Sequence, residues 1–301
     1  MSFVTYPTGF GALEAERTDL STARVVVLPL PYDLTTSYVS GTRLGPAAII
    51  EASRHLELCD EETGRDFSEV GIHTCDPLAA DTRGPEYMVD AIQAAAARLH
   101  ALGKFVLGLG GEHSVSNGLV RAAASRWPDL GVLQLDAHLD LRDSFEESPF
   151  NHACVMRRLR DDLGLPLVQV GIRSFSSEEH SYVQEQGLLP VSARLLATAT
   201  REERSALLQD IVDRLPARVY LSVDLDVFDP SILPGTGTPE PGGLDWYAVV
   251  DLVAAVASRC EIVAADVVEL APIGGQVASD FLAAKLCYKI IGHALALRDP
   301  A

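Results

Sequence analysis

The sequence predicts an α/β protein: a three-layer α/β/α arrangement around a mostly parallel sheet. Short β-branched runs alternate with longer Ala/Leu-rich stretches along the chain, the pattern of repeated strand–helix units that cover both faces of a sheet. The 301 residues are 48% apolar and only 6% aromatic, enough for a large core built from Ala, Val and Leu. No low-complexity linker and no internal repeat divides the chain, so residues 1–301 read as a single domain.

The elements follow in order. ARVVVLPLP (23–31) is β-branched and reads as a strand, and GPAAIIEASRHLEL (45–58) as a helix opening on Gly-Pro. EYMVDAIQAAAARLHALG (86–103) has strong helical periodicity and stops at Gly103. KFVLGLGG (104–111) is the next strand, SVSNGLVRAAASRW (114–127) a helix and DLGVLQLDAH (129–138) a strand. After a loop come the helical CVMRRLRDDLG (154–164), the strand PLVQVGIRS (166–174) and the helix REERSALLQDIVDRLP (201–216). ARVYLSVDLDVFD (217–229) and EIVAADVVEL (261–270) read as strands. They flank the helix LDWYAVVDLVAAVASRC (244–260), and SDFLAAKLCYKIIGHALAL (279–297) closes the chain as a helix.

Composition narrows the partners. A net charge of −18 disfavours nucleic acid and anionic membranes, whose phosphates need a basic face. It suits a cationic small molecule, although an acidic surface also serves solubility alone. No run of about 18 apolar residues reads as a membrane span, and the start MSFVTYPTGFGALEAERTD lacks a basic segment followed by an apolar block. The five cysteines are scattered without CxxC spacing, which suits a reducing compartment and excludes a thiolate metal site. A cytoplasmic protein is the expectation.

Chemistry-bearing residues collect where strands end, the edge at which parallel sheets bind ligands. GGEHS (110–114) ends one strand and brings His113. Asp136, His138 and Asp140 end the next, Asp224 and Asp226 end YLSVDLD, and Glu269 ends AADVVEL. Spacing by two in an extended segment turns side chains to one face. Buried carboxylates so placed repel one another and resist ionisation unless something positive sits between them. Two imidazoles and four carboxylates exceed the needs of one ion. They balance two divalent cations, and oxygen-rich, sulfur-free ligation favours Mn(II), with Fe, Co, Ni or Zn as alternatives. A water between two such ions loses a proton near neutral pH. Alone, each D-x-H-x-D or D-x-D could be a loop or turn cap, as Asp229 before Pro230 is expected to be; the conjunction is what points to a site.

GGEHS, DAHLD (136–140), SVDLDVFDPSILPGTGTPEPGG (222–243) and DVVELAP (266–272), with PLPYDLTTSYVSGTRLGPAAIIEAS (29–53), resemble the ureohydrolase family of arginases and agmatinases. The resemblance spans nearly the whole chain and implies a binuclear manganese site, two Mn²⁺ per subunit. One ion would be held by His113, Asp136, Asp140 and Asp224, the other by Asp136, His138, Asp224 and Asp226, with Asp136 and Asp224 bridging. It further implies hydroxide attack on a guanidinium carbon, giving urea and an amine. Asp140 would handle the nucleophile's proton, Glu269 would bind the guanidinium, and His152 in SPFNHACVMRR would shuttle protons. Thr238 in GTGTP would contact substrate or support a ligand, and a homotrimer or homohexamer is implied. Glu269 paired with a structural arginine and His152 as an ordinary loop residue are the plainer readings. His55, His73, His100, His180 and His293 carry no motif.

The loops LRDSFEESPFNHACVMRR (141–158) and GIRSFSSEEHSY (171–182) lack the Asn- and Ser-rich pattern of arginases, and no acid follows Arg173 closely. They look like those of bacterial and archaeal agmatinases. The expected substrate is therefore a small cationic guanidine: agmatine, giving urea and putrescine, with acids at 143, 146 and 147 compatible with its amine end. N1-aminopropylagmatine, leading to spermidine, is the close rival. A guanidino acid is less favoured, though Arg142, Arg157 and Arg173 keep it open. A non-catalytic metal-binding module and a two-metal phosphoesterase are readings from other classes.

Overall fold

The computed structural model describes residues 7–298. Eight strands form one sheet: β1 (Val25–Leu30), β2 (Ile72–Thr74), β3 (Phe105–Gly110), β4 (Leu130–Leu135), β5 (Leu167–Ile172), β6 (Val191–Ser192), β7 (Arg218–Asp224) and β8 (Glu261–Val268). Their spatial order is β2-β1-β3-β8-β7-β4-β5-β6, and every neighbouring pair is parallel. Parallel pairing requires a crossover between strands, and the long helices supply it.

Alternation along the strands divides the core into two apolar layers. Val25, Val27, Leu107, Leu133, Leu135 and Val223 face one cluster; Leu28, Leu30, Val106, Val132 and Tyr220 face the other. The first layer is closed by helices 45–53, 201–213, 246–259 and 278–291 through residues such as Ile49, Ile211, Val253 and Ile290. The second is closed by helices 85–101, 116–126, 155–163 and 177–186 through Ile92, Leu119, Met156 and Val183. The expected three-layer architecture is thus present, with each side chain fully buried in these layers contributing about 1.5–3 kcal/mol.

Helix ends follow local chemistry. Pro46 and Pro85 occupy first-turn positions, where the missing N–H costs nothing. Ser176 with Glu179, and Thr200 with Glu203, form reciprocal capping boxes. Gly164 and Gly187 stop their helices in the left-handed conformation.

Several short elements were not anticipated from the sequence: β2, β6 and the helices Ser177–Gln186 and Ala193–Thr198. Two of these are strands of three and two residues, too short to show a period. The final helix ends at Ile291, earlier than expected, and Gly292–Ala296 form a π-helical turn. A Cβ at Gly292 would lie 2.2 Å from the Phe67 ring, so glycine lets that turn pack against the ring.

Candidate active site

The acids and histidines stand beyond the carboxyl ends of β3, β8, β7 and β4, which are consecutive neighbours in the sheet. β3 delivers His113 through Gly110-Gly111. Gly111 passes so close to the next strand's loop that a Cβ would lie 2.0 Å from Tyr32 O, so no side chain fits there. β7 ends on Asp224, whose Oδ1 accepts from Asp226 N (2.9 Å) and so starts the turn that carries Asp226 inward.

One expectation about local geometry needs correction. β4 ends at Leu135, so Asp136, His138 and Asp140 do not converge by strand alternation. His138 forms only an isolated bridge with Ser174, and Asp140 sits at φ 52°, the left-handed region. Glu269, just after β8, likewise has φ 64°. Such backbone costs about 1 kcal/mol or more per residue, and it persists where packing overdetermines it. At Asp140 it turns the carboxylate back toward His113.

The resulting cluster is tight. His113 Nδ1 lies 3.1 Å from Asp136 Oδ2, 2.9 Å from Asp140 Oδ2 and 3.4 Å from Asp224 Oδ2. His138 Nδ1 lies 2.9 Å from Asp226 Oδ2 and 3.5 Å from Asp136 Oδ1. Asp136 therefore stands between the two imidazoles. Two triads have donor atoms within 4.8 Å of one another: His113, Asp136, Asp140 and Asp136, His138, Asp226.

Protonation states follow from burial and neighbours. Burial and the neighbouring Asp136 push Asp140 up to about 7. Burial, with Asp226 and Asp136 nearby, raises Asp224 well above the carboxylate range. Burial acts the same way on Glu269, helped by Glu112. Burial alone would raise Asp136 too, but the two histidines outweigh it and hold its pKa down. For His113 burial opposes a charge, yet the three carboxylates overcome it and the pKa rises well above normal.

His113 Nδ1 is buried without a hydrogen-bond partner; the three nearby oxygens are out of line for a ring N–H. The ring's other side explains why. Ser222 Oγ donates its single proton to Asp266 Oδ1 (2.8 Å), so it accepts from His113 Nε2 (2.9 Å). Tyr220 OH donates to the other Asp266 oxygen (2.7 Å). Without a cation the carboxylates hold a proton on Nδ1; once a cation displaces it, Nε2 keeps the hydrogen given to Ser222 and Nδ1 is the nitrogen free to ligate, the arrangement of a metal-ligating histidine. The donor set fits a divalent cation.

A cavity of about 300 Å³ opens onto this cluster. His113, His138, Asp140, His152, Asp224, Asp226, Thr238 and Glu269 all line it, while Asp136 is buried beneath. Glu269 has no arginine partner among the described residues; its Oε1 accepts from His113 N (2.7 Å). Thr238 Oγ1 lies 3.4 Å from Asp226 Oδ2. His152 lines the cavity, and burial lowers its pKa to about 4, so the ring is neutral. Glu179, six residues after Arg173, also reaches the wall, against expectation. It comes with the unanticipated helix 177–186, and its carboxylate is already engaged by Leu141 N and by Ser176 N and Oγ.

Several supporting residues escaped the sequence reading: Ser222, Asp266 and the pair Gln134–Gln169. Gln134 Nε2 donates to Asp136 Oδ2 (2.6 Å), and Gln169 Nε2 donates to Gln134 Oε1 (2.6 Å). The available signal was a polar residue inside an otherwise apolar strand run.

A family model described as the arginase family matches residues 23–292. The chain belongs to the arginase family. Within it, this member is 40% identical to the N(1)-aminopropylagmatine ureohydrolase of Synechocystis sp., over 97% of this chain and 95% of the relative. It is 36% identical to the agmatinase of Bacillus anthracis, over 83% and 84% respectively. Among solved structures, agmatine ureohydrolase of Thermoplasma volcanium superposes with a TM-score of 0.85 at 31% identity, covering 97% and 95%. The arginase-like fold and the family resemblance expected from the sequence both hold. No helix among the described residues is long and apolar enough to cross a membrane.

Proposed function

We propose that this arginase-family chain is a ureohydrolase acting on an agmatine-type guanidine: R–NH–C(NH₂)₂⁺ and water give R–NH₃⁺ and urea. The observation that carries the reading is His113 Nδ1, buried without a hydrogen-bond partner and within 3.4 Å of three buried carboxylates, beneath a cavity that also contains Glu269. Two Mn²⁺ ions, held by His113, Asp136, Asp140 and Asp224 and by Asp136, His138, Asp224 and Asp226, would supply Lewis acidity and an acidified water. The chain's own residues do the rest. The Glu269 carboxylate faces a planar cation and fixes its orientation. Asp140 accepts the nucleophile's hydrogen bond. The neutral His152 carries a proton from the cavity to the departing amine. Thr238 steadies Asp226.

Agmatine, giving putrescine, and N1-aminopropylagmatine, giving spermidine, use the same catalytic groups. The second is favoured by one observation: the relative that bears its name is the more similar over the greater length. Urea release from the manganese-loaded protein, with agmatine, N1-aminopropylagmatine, arginine and guanidinobutyrate in parallel, tests both. Turnover of one or both polyamine guanidines, well above arginine, is expected. Metal binding with no urea from any of the four would instead favour a binding module, and phosphatase activity the phosphoesterase reading.

A further inference from the structure

Outside the acid–histidine cluster, one buried polar chain reaches the cavity without a role in the reading above. Glu112 is fully buried between β3 and His113. Its carboxylate accepts from Thr35 N (2.6 Å), from Thr35 Oγ1 (2.7 Å) and from Ser114 Oγ. Thr35 comes from the segment after β1, the stretch whose following residues Thr36–Val39 line the cavity. Its hydroxyl oxygen is also 3.0 Å from His152 N and 3.2 Å from His152 Nδ1. Three strand-end loops, from β1, β3 and β4, are therefore tied together at one hydroxyl.

A threonine hydroxyl has one proton and two acceptor positions. Thr35 gives its proton to Glu112. The oxygen can then only accept, and it does so from the backbone N–H of His152 and from Nδ1. Nδ1 must carry a hydrogen to make that contact, which leaves Nε2 of the neutral ring with its lone pair on the cavity side. We infer that Thr35 and Glu112 are positioning residues that set the tautomer and orientation of His152, so that the ring enters the reaction as a proton acceptor through Nε2. This inference rests on His152 acting on protons in the proposed ureohydrolase reaction. The proton balance closes: Nε2 takes one proton when water adds to the guanidinium carbon and returns it to the leaving nitrogen as the C–N bond breaks, and the added hydroxyl gives up its own proton to that nitrogen as it becomes the carbonyl of urea.

The test separates the tautomer from turnover. Histidine ¹⁵N–¹H correlation spectra of the full-length chain without added metal, with His152 assigned through His152→Asn, read each ring nitrogen as protonated or bare. The expected result is a protonated Nδ1 and a bare Nε2 for His152, kept in Thr35→Ser and lost or mixed in Thr35→Val. In urea release, Thr35→Ser should stay close to the parent. Thr35→Val should lose about 10²-fold in kcat with little change in KM and unchanged manganese content, the scale of a misoriented catalytic group. A bare Nδ1 in the parent protein overturns the inference whatever the activity, as does a Thr35→Val spectrum identical to the parent's. The expected spectra without urea from any guanidine would leave the tautomer assignment standing and remove the ureohydrolase reading instead.

Discussion

Two clusters of acids, each built around a buried carboxylate, solve opposite problems. Near the final helix, Lys289 is buried and meets Asp60 at 2.6 Å, Glu62 at 2.8 Å and Glu61 at 3.1 Å, with Lys285 adding a second contact to Glu61. There the chain supplies its own cation. At the sheet edge, Asp136, Asp140, Asp224 and Asp226 have only histidines as ion-pair partners among the described residues, and one of those histidines directs a buried Nδ1 inward without a hydrogen-bond partner. A buried carboxylate without a cation is costly. The first cluster is a closed ion network that fastens the fold. The second is open by one charge or more, and that deficit is what a bound divalent ion would fill.

The contrast can be broken most sharply at Asp136, which stands between the two imidazoles. Asp136→Asn should cut urea release by about 10³-fold or more. Manganese at 100 times its dissociation constant should stabilise the parent by about 2.7 kcal/mol, and the variant should lose most of that gain. Thermal melts with and without manganese check both. A variant with intact activity would remove Asp136 from the metal site.

The opposite result is expected at the closed cluster. Lys289→Met leaves Asp60 buried without its cation and should destabilise the fold by about 3–5 kcal/mol, with kcat of the folded fraction unchanged. The pH dependence has a definite sign. A side-chain hydrogen bond from Lys285 leads in holding Glu61 down to about 2 from an ordinary 4.5. Between those values the unfolded chain binds more protons than the folded one, so stability rises with pH. The contribution is complete above about pH 4.5 and disappears as pH falls through about 2. Urea melts across that range should therefore show a Lys285→Met deficit that is greatest near neutrality and shrinks in acid.

A smaller effect sharpens the picture of how the open cluster is held ready. Ser222→Ala removes the acceptor for His113 Nε2 and should weaken manganese binding by about 10–100-fold without abolishing it. A manganese titration followed by calorimetry measures it. Unchanged affinity would mean that the carboxylates alone fix His113.

The acid–histidine cluster was legible because its residue types are rare neighbours in sequence: D-x-H-x-D, D-x-D and GGEHS each sit where an apolar run stops. The reason they converge was not legible. Spacing by two suggested strand alternation, whereas Asp140 arrives through a left-handed residue after β4 has ended. Ser222 and Asp266 each open a quoted motif, but their role went unread because a single polar residue in an apolar run has no period. Thr35 and Glu112 belonged to quoted motifs, but they are 77 residues apart and nothing local pairs them. The loop after β5 was read incompletely for a similar reason: Glu179 reaches the cavity wall where a capping box turns the chain into a helix.

By itself the sequence determined the α/β class, the two-layer covering of the sheet and the donor types, since periodicity and residue chemistry are local properties. Tertiary structure decided the order β3-β8-β7-β4, which makes neighbours of strand ends lying up to about 160 residues apart. It also decided which nitrogen of His113 faces the carboxylates and which nitrogen of His152 bears the hydrogen. A tautomer depends on the far end of a hydrogen-bond chain, and the chains from Asp266 through Ser222 and from Glu112 through Thr35 exist only once distant strands are side by side.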